Sequence, residues 1–438
     1  LVICLVLLTP LSFGSVQPWF QGIISILIFL MGLIWCSHYL FLKKEPLKIS
    51  SFGWAMLVFT ALGALQILPL PVKVLSFISP ETLRLYETVK PGQAFGTLSL
   101  YPYGTTWELY KFLSLSLFYF IVLNLKNEKA LKAICYGIVV AGLFEAVYGL
   151  IHYNSNEIFG YKNIYSKGFA SGTFINRNHY AAFLEMCIFV SMGIFLARAQ
   201  RIARFHHSLR EFTLSFFHDK NLPFLCVPFF TFLMVLALIF SGSRGGMMAL
   251  AISFFFYLFL MTTLYKGRSL KIGMFLLLII ILLACFWMSY GQLGDFLIRF
   301  QTLGGHFQAR DSIWKDSMAM ASDFKLLGIG LGAYQYILPR YFFESHLSEY
   351  IHHAHNEYIE ILCEAGLLGL FILILGGALT CSKVLFKRDL LKWGILTGVI
   401  SVSLHNLVDF NLRIPANALL YILLFALLQI QGEGRSMH

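Results

Sequence analysis

Charge is scarce in this chain. Lys, Arg, Asp and Glu make up 13% of its 438 residues, against about 25% in an ordinary soluble domain, and that shortage excludes a typical soluble globular protein. Cysteine is present but unpatterned: the eight residues form no CxxC pair and no cysteine-rich loop. Neither a disulfide framework nor a thiolate zinc site is therefore indicated, and cysteines inside apolar runs read as packing residues. Repeats of solenoid period and low-complexity linkers are missing too, and there is no room for a second, soluble domain. What is abundant is hydrophobic sequence, 58% of the chain. Runs of the roughly 20 apolar residues that a helix needs to cross a bilayer recur from end to end. The fold class expected is an all-α polytopic membrane protein, one integral membrane domain over residues 1–438.

Twelve spans are expected: near Leu1–Phe13, Phe20–Phe41, Phe52–Leu68, Trp107–Leu125, Leu131–Tyr153, His179–Ala197, Leu222–Phe240, Met247–Tyr265, Ile272–Tyr290, Tyr358–Leu379, Trp393–Phe410 and Pro415–Ile430. The first is short and lacks a basic flank, so it reads as a span without its beginning and not as a signal peptide. The net charge of +11 resides in short loops, as membrane insertion requires, and no basic stripe with interleaved aromatics suggests nucleic acid. Lys43, Lys44 and Lys48, Lys126 to Lys132, Arg198 to Arg210, Lys266 to Lys271, and Lys383 to Lys392 all fall on one side. By the positive-inside tendency that side is cytoplasmic. The opposite side receives residues 72–106 and the long stretch 291–357. A connection that long is uncommon without structure of its own, and Ala309 to Ser322 carries helical spacing, so residues 291–357 are expected to form an extracytoplasmic helical cap.

The cap ends in His352-His353-Ala354-His355-Asn356-Glu357, which runs into an apolar helix carrying Glu360, Glu364, Gly366 and Gly369. Titratable chemistry is thereby placed at a membrane surface. Histidine, with an ordinary pKa of about 6.5, suits the removal of a proton from a hydroxyl there, and His355 is the candidate base. A metal site from His353, His355, Glu357 or His346 is disfavoured, because ligands at i and i+2 are unusual on a helix and no zincin motif is present. Arg244 lies in Ser241-Gly242-Ser243-Arg244-Gly245-Gly246 between two apolar runs. Arginines at a membrane edge face a polar cavity or a partner, so Arg244 either binds phosphate oxygens through its planar fork or pairs with Glu360 or Glu364. Arg177 and Arg310, each at the start of an expected helix, and Arg340, after Leu338-Pro339, are further candidates for an anionic substrate. Gly328-Ile329-Gly330-Leu331-Gly332 follows no strand and is read as a tight turn beneath the cap, not as a dinucleotide fingerprint. His405 and Asp409, four apart, share a helix face. They either touch a substrate headgroup or form a buried pair that fixes packing.

These residues resemble the O-antigen ligase and Wzy-type polymerase superfamily of bacterial envelope glycosyltransferases. Its signature, His-[Asn/Ser/Gln], nine residues, Gly-x-x-Gly and then Gly, Thr or Tyr, is matched by His355-Asn356 and Gly366-Leu367-Leu368-Gly369, with Leu370 departing at the last position. Ser243-Arg244-Gly245-Gly246 and Arg310 before a tryptophan add to the likeness, which covers about Ser171 to Phe410. The resemblance implies a GT-C-like fold in the bacterial inner membrane, with the active site facing the periplasm. It further implies inverting transfer of a glycan from undecaprenyl pyrophosphate to an acceptor hydroxyl, with neither metal nor other cofactor. His355 would be catalytic. Arg244, Arg310, Arg177, Arg340, Asn356 and His353 would bind pyrophosphate or glycan, supported by Glu360, Glu364, His405 and Asp409. Ligation to lipid A-core, repeat-unit polymerisation and protein glycosylation all stay open, and a transporter of lipid-linked glycan is the rival of another class.

Overall fold

A computed structural model describes residues 1–42, 46–89, 91–155, 157–203, 210–211, 214, 222–264, 303–342, 351–385 and 389–430. Its main helices are α1 (Val2–Leu11), α2 (Pro18–Leu42), α3 (Ser51–Ile67), α4 (Val72–Ile78), α5 (Pro80–Val89), α6 (Pro102–Leu123), α7 (Glu128–His152) and α8 (Arg177–Ala203). There follow α9 (Cys226–Phe240), α10 (Arg244–Leu264), α11 (Leu303–Asp323), the single turn α12 (Tyr334–Ile337), α13 (Glu357–Leu385), α14 (Leu390–His405) and α15 (Pro415–Gln429). Two antiparallel ribbons of two residues per strand, Leu70–Pro71 with Phe95–Gly96 and Glu157–Ile158 with Tyr161–Lys162, are the strands among the described residues.

Among the described residues six helices are long and apolar enough to cross a membrane: α2, α6, α7, α8, α10 and α13. Five shorter apolar ones, α1, α3, α9, α14 and α15, accompany them. The protein is accordingly multi-pass, and each of these helices overlaps an expected span. The remaining expectation, Ile272–Tyr290, lies outside the described residues, as do His346 and several loop lysines and arginines. Helix α8 occupies the centre, buried along nearly all its length, and packs most extensively on α14. Small residues allow that approach. A Cβ at Gly394 would press on the Phe189 carbonyl and the Gly193 backbone of α8.

Two features differ from expectation. The cap helix α11 starts at Leu303, so Arg310 lies about two turns inside it instead of at its opening. And α13 is not continuous, because Gly366 has φ 68° and ψ −174°, a region open essentially to glycine alone. The break frees backbone groups that would otherwise bond within the helix, and buried polar groups of that kind need partners. They find them in the glycine-rich segment. Ile329 N–H donates to the Cys363 carbonyl (2.9 Å), Gly330 N–H to that of Glu364 (3.0 Å), and Leu367 N–H to that of Lys325 (2.8 Å). The Gln66 amide from α3 donates to the Leu327 and Glu364 carbonyls, both at 2.8 Å, and closes the joint.

Candidate active site

The first residues of α13 are set by Asn356. Its Oδ1 accepts from the backbone of Tyr358 (3.0 Å) and Ile359 (3.1 Å), a helix cap of the ordinary kind, while its Nδ2 donates to the Leu407 carbonyl (2.8 Å). One side chain thus fixes the helix start and ties it to the segment 405–413 between α14 and α15. Glu357 N–H completes the tie, donating to the carbonyls of Asn406 and Asp409. Asn356 is buried with its amide spent on the protein.

That segment is where the candidate residues meet. His355, just ahead of the cap, adopts a left-handed backbone with φ 51°, a conformation sparsely used outside glycine. Its Nδ1 is buried, has no hydrogen-bond partner among the described residues, and faces Asp409 Oδ1 at 3.9 Å, beyond bonding distance. The side chain as a whole is 37% exposed, so the accessible edge is the one away from Nδ1. Asp409 is buried. Its Oδ2 takes the Asn178 amide at 2.6 Å, and its Oδ1 takes the Phe410 backbone N–H at 2.9 Å. Burial pushes this carboxyl up, but the histidines around it (His355, His179 and His405) outweigh burial and hold it well below the usual carboxylate range. Phe410 is the common platform: His353 stacks on it with centroids 4.1 Å apart, while His355 and His179 meet its edge at 5.1 and 4.8 Å.

Two of the four candidate arginines, Arg310 and Arg244, adjoin the same segment. Arg310 donates from Nη1 to the Val408 carbonyl (2.6 Å). Arg244 is the first residue of α10, where the helix dipole favours an anion. The Ser243 hydroxyl accepts from Gly246 N–H (3.2 Å). A Cβ on Gly245 would lie 2.9 Å from the His405 ring, and one on Gly246 2.9 Å from Ala181, so this helix start is pressed against α14 and α8. Arg177 begins α8 with its guanidinium over the Phe169 ring at 3.7 Å. Arg340 is placed elsewhere, bonded to Glu81 of α5 at 2.8 Å.

Several members of the site were not singled out in the sequence. His405 Nδ1 bonds Glu185 Oε1 at 2.7 Å inside the bundle, and Ser401 bonds the other carboxylate oxygen at 2.8 Å. Of the two alternatives for His405, a headgroup contact or a pair with Asp409, the second is corrected in its partner: the buried pair is with Glu185. The cation facing the carboxylates of α13 is Arg413. Its Nε meets Glu357 Oε1 at 2.9 Å and Glu360 Oε1 at 3.4 Å, and its Nη1 meets Glu364 Oε2 at 2.7 Å. Burial works against the charge of Arg413, yet the three glutamates raise its pKa well above the ordinary value. Glu360 also takes His353 Nδ1 (2.9 Å) and the Ala354 N–H (3.0 Å), which links this ladder to the histidine cluster. A glutamate in the middle of the span His179–Ala197, and carboxylates at i, i+3 and i+7 on one helix face, are signals that call for a buried partner.

In chemical terms the arrangement offers a half-exposed imidazole backed by a carboxylate, flanked by a helix N-terminus with an arginine and by a second arginine from the cap. No curated protein matches the chain. Residues 229–374 match the family model Wzy_C, described as O-Antigen ligase, a segment that includes Arg244, Arg310, His355 and Gly366-x-x-Gly369 and stops short of His405, Asp409 and Arg413. Over residues 229–374 the chain is therefore similar to O-antigen ligase domains, a likeness that points to the ligase or polymerase type of glycosyltransferase in general.

Proposed function

We propose that this protein is an inverting glycosyltransferase of GT-C type that moves a glycan from undecaprenyl pyrophosphate to an acceptor hydroxyl, in the first place on lipid A-core, at the periplasmic face of the bacterial inner membrane. The observation that carries the reading is His355: a left-handed residue with Nδ1 turned to Asp409 and its opposite edge accessible. In that orientation Nε2 takes the proton of the acceptor hydroxyl. The oxygen attacks the anomeric carbon, the bond from that carbon to the phosphate oxygen breaks, and its electron pair leaves on undecaprenyl pyrophosphate, so the configuration inverts. Asp409, kept ionised, stabilises the imidazolium that forms. Arg244 at the α10 N-terminus and Arg310 meet the charge building on the departing pyrophosphate, an electrostatic contribution that is usually the largest single one. This reading calls for no metal.

Leu370 departs from the family signature, which has Gly, Thr or Tyr there, and repeat-unit polymerisation is the second reading. Incubating the purified protein with undecaprenyl-pyrophosphate-linked glycan, with and without lipid A-core, separates the two. Glycan joined to lipid A-core identifies a ligase, and longer lipid-linked chains without that acceptor identify a polymerase. The variant His355→Ala is expected to unfold at the same temperature as the wild type while losing a factor of about 10² to 10⁴ in turnover. Turnover near that of the wild type would remove His355 from the role of base, and an unchanged covalent linkage in the wild type would point to transport.

A further inference from the structure

Independently of the transferase reading, a cavity of about 340 Å³ lies at the end of the bundle away from His355, where α6 and α15 finish and α7 and α14 begin. That volume falls within the roughly 300–1,000 Å³ of small-molecule sites. Helix α14 ends, and α15 begins, on either side of the segment 405–413, so the length of these two helices, about 22–24 Å at 1.5 Å per residue, separates the cavity from the candidate active site. Four lysines reach it from four separate segments: Lys48 ahead of α3, Lys126 between α6 and α7, Lys132 of α7 and Lys392 of α14. A single carboxylate, Glu128, lines it against them. Even with Asp389, the N-cap of α14, set beside Glu128, lysine outnumbers carboxylate two to one among the described residues.

The cationic rim is held in place by the chain ends around it. Lys48 N–H donates to Asn124 Oδ1 at 2.9 Å, which ties the approach to α3 to the end of α6. Lys48 Nζ donates to the Gln429 carbonyl (2.8 Å) and Lys392 Nζ to that of Ile430 (2.7 Å), so two of the ammonium groups are fixed at the end of α15. One turn further into the bundle the lining becomes apolar. Cys135 follows Lys132 on α7, and Ile395 follows Lys392 on α14, each on the same helix face and about 4.5 Å deeper, with Leu123 of α6 and Leu427 of α15 beside them. A positive rim over an apolar floor, at the level where span ends meet the membrane surface, fits an amphipath with an anionic head. A soluble anion would use the rim alone, and a zwitterion would bring its own cation to a rim that is already positive. Basic pockets between helix ends at this level suit the headgroups of anionic phospholipids.

We propose that this cavity binds an anionic glycerophospholipid of the membrane leaflet at that end, its phosphate among the four lysines and the start of its acyl chains against the apolar floor. The full chain in detergent, titrated with phosphatidylglycerol or phosphatidylcholine of identical chains and read by native mass spectrometry, tests it. Phosphatidylglycerol is expected to bind about tenfold more tightly. Lys126 is exposed and Lys132 half-buried, so Lys126→Gln with Lys132→Gln takes two charges from the rim while leaving the bonds of Lys48 and Lys392 to α15 in place. The preference should then fall to about twofold or less. Lys129→Gln with Lys383→Gln removes the same charge from exposed lysines at the same end that do not line the cavity, and should leave the preference as it was. Equal binding of the two lipids by the wild type, a preference that survives loss of Lys126 and Lys132, or one lost equally in the control variant would each overturn the proposal. So would displacement of phosphatidylglycerol by an excess of inorganic phosphate, which would leave an anion site without a lipid. The wild-type lipid series decides even if a variant fails to fold.

Discussion

Two acidic clusters lie on either side of the segment 405–413, and they are built for different ends. On one side Asp409 faces histidines, and the ring of His355 is 37% exposed. On the other, Glu357, Glu360 and Glu364 close on Arg413, whose side chain is 13% exposed. Histidine exchanges its proton in the neutral range, whereas a guanidinium does not. The first cluster therefore presents a proton-exchanging ring at an accessible edge, and the second, buried and ion-paired, holds a shape. What it holds is the start of α13, and through the Glu360–His353 hydrogen bond and the stack on Phe410 it holds the loop that presents His355. The difference teaches that the charged residues of this membrane protein divide between chemistry and scaffolding within a few residues of one another, and that the partner, not the carboxylate, decides which.

The largest change that would break this division is at the joint beneath the ladder. A Cβ at Gly366 would collide with the Leu326 carbonyl and the Leu327 amide, at a φ of +68° that L residues rarely adopt. Gly366→Ala is expected to destabilise the protein by at least about 4 kcal/mol, strain and collision together, seen as loss of folded protein in size-exclusion chromatography of the purified material. A variant folded and as stable as the wild type would mean that the break in α13 is dispensable. Next in size is Arg413→Met, which leaves three buried carboxylates without their cation. Removing one partner of a buried ion pair typically costs about 3–5 kcal/mol, and thermal unfolding should show it at any pH where the glutamates ionise. If the variant keeps its stability and loses only turnover, the ladder belongs to the chemistry and the division drawn above is wrong.

Much of this was legible in the sequence, for physical reasons. Apolar runs of span length register directly in composition, and eleven of the expected spans overlap the apolar helices described, six long and five shorter. The histidine cluster and the glycines of the signature stand out because polar and flexible residues are conspicuous in apolar surroundings. Less legible was everything that depends on which helix packs on which. Arg413 lies 49 residues from Glu364, and Glu185 lies 220 from His405. No periodicity links such pairs, so the sequence alone offers Arg244 as one alternative partner of Glu360 or Glu364, and Asp409 as one alternative partner of His405, and gives no sign of Arg413 or Glu185. The glycine-rich 328–332 segment was read as a turn under the cap. Its second task, donating to the carbonyls freed at Gly366, follows only once the two segments are seen side by side.

The smallest and most discriminating change is Asp409→Asn, which alters charge on the reactive side while nearly preserving shape. Asp409 titrates in the folded protein below its unfolded value, which is about 3.9. A carboxylate with a depressed folded pKa contributes its stability in full above the unfolded value and loses it only as pH falls through the folded one. Between pH 5 and 8, then, Asp409 stays ionised, and Asp409→Asn removes a full negative charge from beside the His355 ring. A carboxylate facing an imidazole stabilises the imidazolium that forms when the ring accepts a proton during the reaction. Asp409→Asn should therefore lower turnover by about tenfold while leaving thermal unfolding little changed. Turnover of both proteins at pH 7 decides it: an unchanged rate would separate Asp409 from His355 and leave the 3.9 Å approach as packing alone.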